Sequence, residues 1–291
     1  MRILSSLSWL RKMALHCCGF AVWIICGASS AAVADAPRRV VSANLCADQL
    51  VLALADPAQI VTLGPFARDP SLSFLSDQAK AFPSRRGSAE EIIDLKADFV
   101  LLGSFDSRYA RAALERRNIP YILLEPWTDL EQGRQQIREV ASRLGHPERG
   151  ENLIGQIEAG IAQLTAQAAL SPSKPSALVL HRRGYAMQSG VTAELAHLAG
   201  FGNAAVALGM TVSGLIAMER IIAHPPAYLI VAQDVRHPSD QGEAVLVHPA
   251  LKRLFPPEKR LVIPDRLSIC AGPSTPALIE RLLSETAKAK R

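Results

Sequence analysis

The sequence predicts an α/β protein of two lobes, each with a parallel sheet, joined by a long helix and separated by a ligand cleft. Strand and helix patterns alternate over residues 38–127 and again over residues 175–291, and such alternation is typical of a parallel sheet covered by helices. Residues 128–170 have an almost purely helical pattern. We therefore expect the two alternating regions to fold as Rossmann-like lobes and the helical region to link them.

The first lobe alternates short β-branched runs with helical periodicity. The pattern predicts strands at RRVVSANL, QIVTLG, ADFVLLG and IPYILLE. Helices are predicted between them at CADQLVLALAD, SAEEIIDLK and RYARAALERRN. Pro57 and the pair Gly64–Pro65 mark the ends of the first helix and the second strand.

The linking region contains two predicted helices, separated at Gly145–His146–Pro147. The second would be about 20 residues and about 30 Å long, and it ends at the Pro/Ser-rich boundary SPSKPS. The alternation then resumes in the second lobe. Strands are predicted at SALVLH, AYLIVAQ and RLVIPD, and helices at TAELAHLAG, MERIIAH, HPALKRLF and PALIERLLSETAKA.

Residues 1–34 have the pattern of a secretory signal peptide. Arg2, Arg11 and Lys12 precede an apolar stretch, and AVA (32–34) suits cleavage before Asp35. The alternative is an uncleaved membrane anchor, for which the apolar stretch is short. Removing the segment lowers the net charge from +5 to +2, because it holds three basic residues and no acidic one. A nucleic-acid partner is therefore not expected.

Two cysteines lie beyond this segment, Cys46 and Cys270. Their separation of 224 positions is not a zinc-binding spacing. Secretion leads to a compartment that permits disulfides. The two cysteines are expected either to pair or to be buried separately, and the sequence gives no distance that decides between these alternatives.

A short helix–strand unit occurs twice, and each copy carries a glutamate in the first helical turn. SAEEIIDLKADFVLL (88–102) aligns with AMERIIAHPPAYLIV (217–231) at an offset of 129 residues, which places Glu90 on Glu219. Ser88 and Glu91 fit a capping box, whereas the second copy lacks both residues and keeps its glutamate. A single such glutamate is usually a solvated residue favoured by the helix dipole. Two at matching points of two lobes suit docking to a partner with two basic pockets.

In their order and spacing these motifs resemble the class III periplasmic binding proteins of ABC importers, a family that binds vitamin B12, ferric siderophores or haem. The resemblance covers residues 38–288 and rests on RRVVSANL, DQLVLALA, EEIIDLKADFVLLG, IPYILLE, LAGFGNAA, MERIIAHPPAYLIV, HPALKRL and the C-x-G-P before the last helix. The sequence departs from the family at Ala97, where the family usually has proline, and in the missing serine before Glu219.

The resemblance implies a function in import. It implies a monomeric periplasmic protein, neither an enzyme nor a cofactor carrier, that captures a corrinoid (cobalamin) or a ferric siderophore, with haem as the alternative. The protein would deliver its ligand to an inner-membrane permease dimer that works with cytoplasmic ATPase subunits. Glu90 and Glu219 are similar in position to the glutamates by which that family contacts arginines of the two permease subunits.

Ligands bind outside the carboxyl ends of strands in open parallel sheets, so residues that follow predicted strands are candidates for the cleft. We expect the ligand to contact Asn44, Leu45, Phe66, Arg68, Phe105, Trp127, Arg182, Arg183 and Tyr185. Further positions after strands are Cys46, Ala67, Ser104, Gln233, Asp234, Ser268 and Cys270. The arginines suit anionic ligand groups and the aromatic residues suit rings. The alternatives are solvated surface arginines and a half-buried packing tryptophan.

The histidines argue against a site for a bare metal ion. None lies in residues 38–126, and beyond the signal peptide they occur at positions 146, 181, 197, 224, 237 and 248. An ion held between two lobes usually needs imidazoles, often from both lobes. No metal ligand is therefore predicted, although haem held by Tyr185 or Tyr109 as axial ligand stays open.

Two other classes of protein share some of these features. GFGNAA (200–205) matches a dinucleotide fingerprint, but it follows a helix rather than a strand. The chain has no P-loop and no G-x-S-x-G motif, so a secreted α/β enzyme is the less favoured alternative. A secreted protein that only reports ligand occupancy to a membrane receptor would use the same pair of glutamates.

Overall fold

A four-stranded parallel sheet forms the centre of the first lobe in this computed structural model, which describes residues 36–105, 108–170, 173–232 and 240–289. Its strands are β1 (Val40–Ser42), β2 (Ile60–Thr62), β3 (Phe99–Gly103) and β4 (Tyr121–Leu124). They lie side by side in the order β2-β1-β3-β4, and each neighbouring pair is parallel. The predicted strands of this lobe are confirmed. The predicted signal peptide lies outside the described residues.

The described helices of the first lobe are α1 (Leu45–Leu54), α2 (Ser76–Ala79), α3 (Ala89–Asp94) and α4 (Arg108–Arg116). Three of them begin within one residue of the predicted starts, and the short helix α2 was not predicted. At the start of α3 the Ser88 hydroxyl accepts from the backbone N–H of Glu91 at 3.3 Å, and the Glu91 carboxylate accepts in return from the N–H of Ser88 at 3.3 Å and also from that of Gly87 at 2.9 Å. The predicted capping box is therefore confirmed, and it satisfies N–H groups that have no partner inside the helix.

Two linking helices follow, α5 (Leu130–Leu144) and α6 (Pro147–Ala169). Gly145 ends α5 because it adopts a left-handed conformation (φ 86°) that disfavours other residues. Pro147 then starts α6, since a first-turn residue needs no N–H donor. The helices pack together along their length, and the ion pair of Arg134 with Glu158 (2.6 Å) joins their surfaces.

The second lobe contains a mixed sheet. Its strands are β5 (Ser176–His181), β6 (Tyr185–Met187), β7 (Gly202–Asn203), β8 (Gly214–Leu215), β9 (Tyr228–Val231) and β10 (Arg260–Val262). The order is β10-β9-β5-β6-β8, with β7 beside β5. The predicted strands β5, β9 and β10 are parallel, whereas β6 and β8 add antiparallel pairs that the sequence analysis missed. The strands β6, β7 and β8 contain no β-branched residue, whereas the equally short β1, β2 and β10 lie in β-branched runs that the sequence shows.

The helices of the second lobe cover the two faces of that sheet. They are α7 (Val191–Leu198), α8 (Ala204–Ala207), α9 (Met218–Ala223), α10 (Gln241–Ala244), α11 (Pro249–Leu254), α12 (Asp265–Ser268) and α13 (Thr275–Ala289). The side chain before α9 makes no capping hydrogen bond, as expected for Ala217. Among the described residues, no helix is both long enough and apolar enough to cross a membrane.

One hydrophobic core extends from the first lobe through the linking helices into the second. It includes Val40 of β1, Ile137 of α5, Ile157 of α6, Val179 of β5 and Leu282 of α13, all buried. Consistent with this, the chain from Ala36 onwards forms one compact unit. The lobe boundaries at 127 and 175 stay a prediction.

Candidate ligand-binding site

A cavity of about 200 Å³ lies where the carboxyl ends of strands from both sheets meet. The first lobe and α5 supply Asn44, Cys46, Leu50, Phe105, Leu124, Glu125, Pro126, Trp127 and Gln136. The second lobe supplies His181, Met187, Gly190, Val191, Thr192, Ser268, Ile269 and Ala271. This placement follows the general rule for open α/β sheets, because the loops that leave the strand ends are the ones that line a crevice.

Trp127 forms a fixed wall of the cavity. Its indole N–H donates to Gln136 Oε1 at 2.9 Å, and the Gln136 amide donates to the backbone carbonyl of Glu125 at 3.1 Å. The ring packs on Gly133 of α5, where a Cβ atom would overlap ring carbons. Trp127 is 9% exposed. Both roles considered for this side chain therefore occur together, since it packs against α5 and still lines the cavity.

A disulfide joins the two lobes beside the cavity, and one of its cysteines, Cys46, lines the cavity. Cys46, in the first turn of α1, is bonded to Cys270, which lies between α12 and α13, and their Cα atoms are 5.0 Å apart. Asn44 precedes this turn as the cap of α1, and its side-chain oxygen accepts from the N–H of Cys46 at 2.9 Å. The sequence left the pairing open; the fold brings the two cysteines together.

His181 is the described histidine that lines the cavity, and it is the last residue of β5. Burial lowers the pKa of its imidazole, and the negative charge of Asp265 opposes that shift. Burial likewise raises the pKa of the Asp265 carboxyl, against the attraction of its carboxylate to the protonated form of His181 and to Arg182. For His181 the effect of desolvation on the pKa is larger than the effect of the Asp265 charge, so the imidazole is neutral at neutral pH.

The predicted ligand residues divide into two groups. Asn44, Phe105 and Trp127 line the cavity. Cys46 and Ser268, which were named as additional residues that follow predicted strands, also line it. Leu45, Phe66, Arg68, Arg182, Arg183 and Tyr185 do not line it. Gln233 and Asp234 lie outside the described residues.

Partners elsewhere account for the positions of the arginines. Arg68 donates to the carbonyl of Phe82, and Arg182 forms an ion pair with Asp240. The exposed Arg183 packs its aliphatic stem near Gly242, where a Cβ atom would lie 3.0 Å from it. Within the described part of the chain the cavity lining therefore holds no arginine or lysine. Their predicted contact with the ligand stays a prediction.

Sequence reasoning missed several lining residues, chiefly His181, Met187 and Gln136. His181 is the last residue of the predicted strand itself, whereas the predicted ligand contacts were residues that follow each strand. Met187 belongs to the short strand β6, and Gln136 to a linking helix that the strand-end rule does not cover. The alternation of side chains along β5 was a usable signal for His181, because residues 179 and 181 share one face.

Glu90 and Glu219 occupy matching points on the two lobes. Each is the second residue of a six-residue helix, α3 or α9, that leads into a strand, and each side chain is exposed. The pKa of Glu90 lies below its usual value, because its own backbone N–H and the Ser88 hydroxyl donate to the carboxylate. Glu90 is therefore a charged surface residue at neutral pH.

Two lobes with strand ends facing one cavity define a two-lobed α/β binding protein. The family model described as "Periplasmic binding protein" matches residues 40–255. The chain therefore belongs to the periplasmic binding protein family, as its motifs predicted. This is a family of binding proteins.

Solved structures agree with this assignment. The periplasmic haem-binding protein RhuT from Roseiflexus sp. RS-1, in apo form, is 26% identical, with a TM-score of 0.69 over 87% of this chain and 99% of that one. A periplasmic haem-binding protein from Pseudomonas aeruginosa is 22% identical (TM-score 0.67, 87% and 93% covered). An ABC-type Fe3+-hydroxamate transport system from Saccharomonospora viridis is 19% identical (TM-score 0.67, 86% and 93% covered). A comparison with curated proteins finds no match.

Proposed function

We propose that this protein is the periplasmic substrate-binding component of an ABC importer and that it captures an iron chelate, with haem as the first candidate. The observation that carries the proposal is the cavity at the strand ends of both lobes, with Trp127 as one wall and Phe105 at its edge. Flat aromatic walls suit a flat ring-bearing ligand. The 26% identity to a haem-binding protein supports haem; ferric siderophores and corrinoids are the other outcomes of the test.

The small volume of the cavity and the exposed Phe105 beside it suit a ring-bearing ligand that is only partly enclosed by the protein. About 200 Å³ is less than the ~300–1,000 Å³ of pockets that enclose drug-sized molecules. A macrocycle would therefore insert one edge, with its outer part against the 85% exposed Phe105. The absence of arginine and lysine from the described lining leaves ionic ligand groups to face solvent.

Trp127 makes a direct binding test available. After removal of residues 1–34 it is the single tryptophan of the chain, because the other two are Trp9 and Trp23. Its emission should be quenched in a saturable titration with haemin, cyanocobalamin or a ferric hydroxamate, whichever is bound. Trp127→Phe protein, followed by ligand absorbance, should bind more weakly. Failure of all three classes to bind would contradict the proposal.

We propose further that Glu90 and Glu219 dock the protein onto the two permease subunits. Both carboxylates are exposed and stand at equivalent helix starts, one on each lobe. Charge complementarity at two separated points would set the orientation of docking. The same surface would serve a receptor that only senses ligand occupancy, so transport has to be measured.

The docking test uses charge reversal. Protein carrying Glu90→Arg and Glu219→Arg should keep its ligand affinity and lose uptake into vesicles that contain the reconstituted permease. Glu139→Arg is the matched control, since Glu139 is an exposed glutamate of α5. Transport that continues unchanged in the double variant would remove the docking proposal. Occupancy-dependent docking without any uptake would favour the receptor alternative.

A further inference from the structure

The hairpin of β5 and β6 presents His181 to the cavity. In the antiparallel pairing His181 lies opposite Tyr185, and Val179 lies opposite Met187. Directly opposed residues share one face of a sheet, and so do residues two apart along a strand. His181, Met187 and Tyr185 are therefore on the same face, on which Met187 packs against the core that contains Trp127. His181 and Met187 line the cavity, and the half-exposed Tyr185 does not.

The His181 imidazole has the chemical state of a metal ligand. Its lowered pKa leaves a ring nitrogen with a free lone pair at neutral pH. Among the described residues it makes no hydrogen bond that would occupy this nitrogen. No other histidine of the described chain lines the cavity.

A single imidazole does not hold a bare metal ion. Such sites need three or more protein ligands, and the described residues contain no group of three histidine, cysteine or acidic side chains that would form one. One imidazole is sufficient only when the metal already carries its other ligands. This condition is met by a planar macrocycle that occupies four positions and leaves an axial one open.

We propose that His181 is the axial ligand of the captured chelate and that the cleft consequently selects a metallated planar macrocycle of the iron-porphyrin class. The inference rests on the proposed function and narrows its substrate class. The imidazole nitrogen donates its lone pair to the metal and displaces the axial water, with no change of oxidation state. A ferric siderophore that fills all six positions offers no place for the imidazole. Apolar side chains such as Leu50, Met187 and Ile269 line the cavity and suit the apolar face of a macrocycle.

The test compares haemin with metal-free protoporphyrin IX. His181→Ala should weaken haemin binding at least about tenfold and change the haemin absorption spectrum, because the axial ligand is lost. Added free imidazole should restore the spectrum of this variant. Its affinity for metal-free protoporphyrin IX should fall much less than its affinity for haemin, because that ligand has no metal to coordinate. His197→Ala is the matched control, since His197 is exposed on α7, and it should behave as the parent in every titration.

Each other outcome overturns the inference in a distinguishable way. An unchanged haemin spectrum in His181→Ala, with an altered one in Tyr185→Phe, would assign the axial ligand to Tyr185. Equal losses of affinity for haemin and metal-free protoporphyrin IX would show that His181 acts only through packing. Binding of a ferric hydroxamate but not of haemin would overturn the inference and leave the proposed function intact. Failure to bind any chelate would overturn both.

Discussion

At the scale of single residues, the most unusual ionisable group is the buried Asp48 of α1. One carboxylate oxygen accepts from the Ser42 hydroxyl at 2.5 Å and from the N–H of Gly64 at 2.9 Å. Its other oxygen is buried and makes no hydrogen bond among the described residues. Burial therefore dominates and raises the pKa of Asp48 to about 6, although both hydrogen bonds lower it.

This pKa predicts a stability that falls as pH rises. Below about pH 4 the carboxyl is protonated in both folded and unfolded protein. Between about pH 4 and 6 the folded state keeps a proton that the unfolded state has lost, so the free energy of unfolding decreases by about 3 kcal/mol in all. Urea unfolding of the parent and of Asp48→Asn across this range should show the difference. Parallel pH profiles for the two proteins would contradict the assignment.

Gly133 is a residue on which the shape of the cavity depends. A Cβ atom there would overlap the Trp127 ring, so Gly133→Ala should push the indole from its position, shift its emission and weaken ligand binding. Gly155→Ala is the matched control on α6, since nothing lies within 4 Å of the added Cβ atom. That control should stabilise the protein by about 0.5–1 kcal/mol through helix propensity. Equal effects of the two substitutions would show that the ring has room to move.

At the scale of elements, the two glutamate-bearing helices differ in how they begin. Ser88 caps α3, whereas Ala217 precedes α9 in an extended conformation (φ −65°, ψ 134°) that suits a capping residue but offers no acceptor. The duplicated unit thus has one capped copy and one uncapped copy. Retention of a glutamate in both is consistent with a role separate from helix stability.

The missing cap predicts a simple gain in stability. Ala217→Thr should raise the free energy of unfolding by about 0.5–1 kcal/mol relative to Ala217→Val, because the two side chains have similar shapes and only threonine accepts a backbone hydrogen bond. Ser88→Ala should lower it by about 1 kcal/mol. Denaturant titration of the three variants measures both effects. A valine variant as stable as the threonine variant would show that α9 is held by packing alone.

At the scale of the whole molecule, three features oppose a large movement of the lobes. The helix α6 is 23 residues long, the main core continues from one lobe to the other, and Cys46–Cys270 joins them beside the cavity. A hydrogen bond also connects the linking helices to the second lobe, because the Glu194 carboxylate of α7 accepts from the backbone N–H of Leu130, the first residue of α5, at 2.8 Å. Packed elements of this kind favour small shear over hinge rotation.

The disulfide predicts both stability and limited opening. It closes a loop with a sequence separation of 224, for which chain entropy gives up to about 5 kcal/mol of stabilisation. Cys46→Ser with Cys270→Ser should therefore unfold at lower denaturant concentration. Small-angle scattering should show little change when haemin is added to the parent protein and a larger change in the double variant. A large closure of the parent itself would contradict this prediction. Parent protein kept in a thiol reductant is the control and should match the double variant.

Much of the fold followed from local patterns. The individual strands of the first lobe, the capping box at Ser88 and the helix break at Gly145 each depend on residues within a few positions of one another, so the sequence predicted them. The strand-end rule also found Asn44, Phe105 and Trp127 of the cavity lining. It missed Gln136 and Met187, because Gln136 lies on a helix and Met187 lies on a short strand without β-branched residues.

The sequence by itself determined the α/β class, the family and the paired glutamates, because these depend on periodicity and on motifs in a fixed order. Only the tertiary structure decided that Cys46 meets Cys270, that Arg182 is paired with Asp240, and that His181 lies desolvated in the cavity. Each of these depends on the distance between residues far apart in the chain or on the water that packing removes. A local sequence pattern contains neither the distance between distant residues nor the degree of desolvation, and both determine the chemistry of the cleft.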